Sequence, residues 1–76
     1  MNAERRKTLV KAQDLIEQGV ALLEEARDEE QEAFDNMPEG LRSSERGEKS
    51  QACIDAIQEV IDGIENADWS TAKGES

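Results

Sequence analysis

The sequence predicts an all-α fold, an antiparallel two-helix hairpin that dimerises into a four-helix bundle. Three observations predict it. Apolar residues recur at three- and four-residue steps through two long segments, a single proline stands between them, and 76 residues are too few for a second core. Charged residues make up 37% of the chain, a balance shared with disordered sequences, so the periodicity decides for folding.

The first helix is expected over about 3–36. Asn2 offers an N-cap, and up to Asn36 there is no proline and one glycine, Gly19. Leu9, Ala12, Leu15, Ile16, Gly19, Leu22, Leu23, Ala26 and Ala33 keep the helical period. Pro38 cannot continue a helix and turns Met37 away from helical angles, and Gly40 follows with a flexible turn position. Residues 37–43 are expected as a loop, in which Phe34 and Met37 fold over the hairpin end and Leu41 closes it. Arg46 is placed to bond the loop carbonyls, and Gly47 to let the second helix approach Ala33.

Ser43 or Ser44 caps the second helix, expected over about 44–68. Cys53, Ile54, Ile57, Val60, Ile61, Ile64 and Ala67 form its apolar stripe, against Asp55, Gln58, Glu59, Asp62, Glu65 and Asn66. Residues 69–76 read as a frayed tail. The short loop makes the two helices antiparallel neighbours, with Ile16 near Ile64, Leu23 near Ile57, Ala26 near Ile54, and Trp69 near Leu9 and Lys11.

The hairpin or dimer core is assigned to Ile16, Leu23, Ile54, Ile57, Ile61 and Ile64. Leu15 and Leu22 flank Ile16 and Leu23, and Ile54 and Ile61 are read as flanking Ile57 and Ile64. Each helix therefore carries a second apolar line that one partner cannot cover. A chain this short needs a staple, and one cysteine with no histidine leaves self-association as the staple, hence a homodimer. Ala12, Gly19, Ala26 and Ala33 are seven residues apart, a small-residue line that lets a helix approach closely.

The net charge is −10. Direct binding to nucleic acid or an anionic membrane is disfavoured, and a basic protein is the fitting partner. No apolar run reaches the ~20 residues of a membrane span, and Met1 to Lys7 lead into an amphipathic segment rather than a signal peptide. A cytoplasmic location is expected.

Glu24, Glu25, Asp28, Glu29, Glu32 and Asp35 are the candidate partner-binding face, crowded with Glu30 around one base, Arg27. Arg5, Arg6, Lys7 and Lys11 lie at the opposite end of the same helix. Both placements oppose the helix macrodipole. Pairing with the second helix accounts for part of this order, with the basic start beside Asp62, Glu65 and Asp68 and the acidic end beside Arg42, Arg46 and Lys49. Two uses of the acids stand open. They imitate a nucleic-acid backbone and occupy the basic groove of a nucleic-acid-binding protein, or they only keep a self-associating structural bundle soluble.

Chemistry is expected to be absent. Without histidine no nucleophile–base pair can be assembled, and Ser43, Ser44 and Cys53 have no evident activator. The acids lack the turn geometry of a calcium loop, so no metal, cofactor or catalytic residue is assigned.

The stretch from Arg27 through Phe34-Asp35-Asn36-Met37-Pro38-Glu39-Gly40-Leu41, followed by Ser44-Glu45-Arg46-Gly47-Glu48, resembles small acidic helical proteins of unknown function encoded by tailed phages and prophages. The similar portion is roughly the middle third. The resemblance implies a phage setting and a host protein as the target of binding and inhibition. It brings no site residues with it.

Overall fold

The computed structural model describes residues 2–74, and every element among them is helical: α1 (Ala3–Asp35), α2 (Glu39–Arg42), α3 (Glu45–Glu65) and α4 (Trp69–Ala72). Asn2 starts α1 by accepting a hydrogen bond from the Arg5 amide at 2.9 Å. The helix stops where Pro38 removes a donor; the Asn36 and Met37 amides close the last turn on the Glu32 and Phe34 carbonyls.

The connection is more ordered than a loop. The Pro38 carbonyl accepts from both the Leu41 and Arg42 amides, which winds residues 39–42 into the single turn α2. Proline suits this place because a first helical turn needs no donor there. Ser44 caps α3 by position only; its hydroxyl donates to the Leu41 carbonyl instead, tying α3 to α2. Gly47 is buried, and a Cβ built on it would overlap the Arg42 backbone. The glycine thus lets α3 approach α2 and not Ala33, which is exposed. Phe34 and Met37 are half-buried at this end, but Leu41 is exposed and closes nothing, and Arg46 is exposed without bonding the loop carbonyls.

α3 returns along α1 to form a rod of 57 × 17 × 13 Å. Its radius of gyration is 17.5 Å, against about 11 Å for a compact domain of this length. Two hydrogen bonds cross the seam: Ser50 Oγ donates to Glu30 Oε1 at 2.6 Å, and Arg27 Nη1 to Gln58 Oε1 at 2.7 Å. The seam itself is thin. Ile54 (7% exposed) and Ile61 (1%) are its buried apolar residues, with Ile16, Leu23, Ile57 and Ile64 half-buried around them.

The expected assignment of lines is reversed on α3. Ile54 and Ile61, seven residues apart, face α1, and Gly47, seven residues earlier, lies against α2, while Ile57 and Ile64 stand toward the flank. Cys53 and Val60, expected on the same stripe, are exposed because each lies one residue, about 100°, round the helix from the buried line, and Ala67, also expected there, is exposed beyond the end of α3 at Glu65. On α1, Ala12 and Gly19 are half-buried but Ala26 and Ala33 are exposed. A seven-residue line drifts by about 20° per repeat on a straight helix, which carries it off the seam.

The chain beyond Glu65 is also ordered. Asp68 caps α4 by accepting from the Thr71 amide at 2.9 Å. Lys73 donates to Gln13 Oε1 at 3.1 Å, and the Lys73 carbonyl accepts from Arg6 Nε at 3.3 Å. Residues 69–73 are therefore strapped onto α1 rather than frayed; the last two residues of the expected tail lie outside the described residues.

Candidate functional site

Helical geometry sorts the surface into two broad faces. In an antiparallel pair of right-handed helices, residues displaced in the same rotational sense from the two seam lines emerge on the same side. The cross-seam bonds obey this: Glu30 and Ser50 are displaced one way, Arg27 and Gln58 the other.

On the Arg27 side, α1 presents Glu17, Glu24, Asp28 and Asp35, and α3 presents Asp55 and Asp62. All but half-buried Glu24 are exposed. Arg27 is the base that reaches this face between Glu17 and Asp35, and it is engaged. Its guanidinium meets Asp28 Oδ1 at 3.0 Å and donates to Gln58. Gln58 in turn donates to Asp62 Oδ1 at 2.8 Å, and Gln51 to Asp55 Oδ1 at 2.9 Å. These amides hold the α3 carboxylates one helical turn away without neutralising them. The face is an ordered array of negative charge.

The six acids singled out from the sequence do not share one plane. Counting about 100° per residue, they spread over roughly 140° of α1. Glu24, Asp28 and Asp35 belong to the acidic face, Glu25 and Glu32 lie along the outer edge, and Glu29 turns toward the opposite face. Glu30 is half-buried in the seam on Ser50. What sequence reasoning missed is the α3 half of the array, Asp55 and Asp62, whose signal was the antiparallel pairing itself. It also missed Ser50, which continues the heptad line of Ile57 toward the N-terminus as a small residue, and it placed the close approach of Gly47 on Ala33 instead of the Arg42 backbone.

Among the described residues, the expected ion pairs between α1 and α3 are not formed. The ion pairs among the described residues, Arg27–Asp28 and Lys49–Glu45, each lie within one helix. At the far end a groove of about 380 Å³ opens between Gln13, Ile16, Glu17, Val20, Ile64, Glu65 and Trp69. Trp69 therefore packs further along α1 than the Leu9–Lys11 position expected, because α4 turns the chain back over Gln13. Nearby, the two hydrogen bonds from Thr71 hold the Asp68 carboxyl below its ordinary value.

The other broad face is apolar. Leu15 (58% exposed) and Leu22 (67%) come from α1, Val60 (52%) and Cys53 from α3, with Ala26 and Ala33 beside them. Among the described residues no group of three metal-ligating side chains converges, and no helix is long and apolar enough to cross a membrane. Compared with protein-family models, curated proteins and solved structures, the chain matches none.

Proposed function

We propose that this chain is a non-enzymatic, acidic protein-binding module of the cytoplasm. It acts as a homodimeric four-helix bundle and takes a basic, nucleic-acid-binding protein on its acidic face. One observation carries the reading: Glu17, Glu24, Asp28 and Asp35 of α1 and Asp55 and Asp62 of α3 line one broad side of the hairpin, and the most exposed aliphatic side chains, Leu15, Leu22 and Val60, lie on the other. A chain whose acids served solubility alone would gain nothing by gathering them on one side. Gathered, they offer spaced negative charge along a straight rod, the property that a groove evolved for phosphates recognises. Occupying that groove inhibits the partner. The resemblance of residues 27–48 to phage and prophage proteins supports a phage origin, with a host protein as the target.

The exposed aliphatic side favours the second reading, a self-associating structural bundle, and the two are compatible: a dimer that buries its apolar sides turns two acidic faces outward. They separate in one experiment. The protein is immobilised and bacterial lysate applied at low and moderate salt, with double-stranded DNA as competitor. The module reading expects basic nucleic-acid-binding proteins that salt and DNA both release. The variant E17K/D28K/D55K, altered at exposed positions, should keep its helical circular dichroism and lose them. A variant that captures the same proteins as the unaltered chain would leave only the structural bundle.

A further inference from the structure

We infer that the second copy docks on the apolar face with its α1 antiparallel to this α1, about a two-fold axis at Gly19. The inference rests on the dimeric reading above and adds which helices meet and in what register.

The area comes first. A monomer of 8.5 kDa is expected to expose about 4,700 Å², and this chain exposes 5615 Å². The excess of roughly 900 Å² is what one partner of a stable protein interface covers, about 800 Å². Leu15, Leu22 and Val60, the three most exposed of the large aliphatics, lie on one side of the hairpin, so a single docking event covers them; Val10, less exposed, shares the side of Asp28. A second copy is the occupant that carries the same excess.

The register follows from α1 itself. Gly19 is the middle of the 33-residue helix. About it the line bordering the apolar face is close to palindromic: Leu15 comes within one residue of facing Leu22 of the second copy, Ala12 faces Ala26, and Gly19 meets itself. A Cβ on Gly19 would meet nothing within 4 Å in one chain, so the hairpin alone does not require glycine there; close approach of a second α1 does. The charges agree. The same register brings Lys11 within two residues, about 3 Å, of facing Glu25, and Lys7 equally near Glu29, and none of these four forms an ion pair within the chain among the described residues. Bases at the start and acids at the end of α1, unfavourable for an isolated helix, become complementary when two such helices lie head to tail.

Substitutions at Leu22, Lys11 and Glu25, all exposed, and at half-buried Gly19 test it. Sedimentation equilibrium should find the unaltered chain dimeric and L22E monomeric with its helicity kept. Charge reversal gives the register: K11E and E25K should each weaken the dimer, roughly tenfold for two symmetry-related pairs, and K11E/E25K together should restore it. In a C53A background, G19C should form an interchain disulfide under mild oxidation, because a two-fold axis at that residue brings it to its own copy; the charge rescue distinguishes this from a parallel pair. A monomeric unaltered chain overturns the dimer and this inference together. A dimer that L22E disrupts, but without charge rescue and without the Gly19 crosslink, overturns the register and leaves the dimeric reading standing, with α1 packed on the partner's α3.

Discussion

The seam and the apolar face are drawn from the same residue types on the same two helices, yet one is a core and the other a surface. On α3 the line Gly47, Ile54, Ile61 is buried, and Cys53 and Val60 beside it are exposed. On α1, Ile16 and Leu23 are half-buried, while Leu15 and Leu22 are among the most exposed large side chains. One step of about 100° separates each pair of lines. Hydrophobic character does not distinguish them, because each helix offers more apolar arc than a single partner can cover. What distinguishes them is where the backbones can approach. Gly47 seats the start of α3 against α2, and Ser50, small and buried, bonds Glu30 of α1, so the seam runs on from there through Ile54 and Ile61.

The largest expected break in that comparison is Ile61→Ala, at the most buried position. It should cost about 2–5 kcal/mol in urea unfolding, whereas Leu22→Ala at a 67% exposed position should leave the folding of a single chain nearly unchanged. Equal losses would mean that the exposed line is part of the folding core. Next comes Gly47→Ala. Its Cβ has no room against the Arg42 backbone, so α2 must shift, at a cost of about 1–3 kcal/mol. Gly19→Ala, with open space around it, should stabilise the chain alone through helix propensity. Thermal melts of the two variants at low concentration should move in opposite directions.

The smallest effect is local and pH-dependent. Asp68 has its carboxyl lowered by the two Thr71 hydrogen bonds, so its contribution is complete above the ordinary aspartate value and is lost as pH falls through the lowered one. Trp69, the lone tryptophan, reports the event. Its fluorescence should change in acid below about pH 4, and in Asp68→Asn the change should vanish while circular dichroism stays constant. An unchanged profile in that variant would mean that α4 is held by the Lys73–Gln13 and Arg6 contacts alone.

The long helices and the break between them were legible because periodicity, Asn2 and Pro38 act through neighbours in sequence. α1 runs 3–35 where 3–36 was expected. The order of the 37–43 connection and of residues 69–73 was not legible. Both depend on contacts that sequence spacing does not show, the Leu41 carbonyl on Ser44 and the reach of Lys73 to Gln13. The candidate acids were legible as a block on one helix. Their division into an acidic face, an outer edge and Glu30 in the seam required the position of the second helix, as did the recruitment of Asp55 and Asp62.

α1 outruns α3 by twelve residues, 33 against 21. Closure can therefore proceed like a zip from the Pro38 bend, each turn of α3 meeting a turn of α1 already wound beside it, with little loop entropy to overcome at any step. The same asymmetry orders the opening. Amide protons around Ile54 should exchange last, and those in the first turns of α1, roofed only by the strap from Trp69 to Lys73, should exchange first.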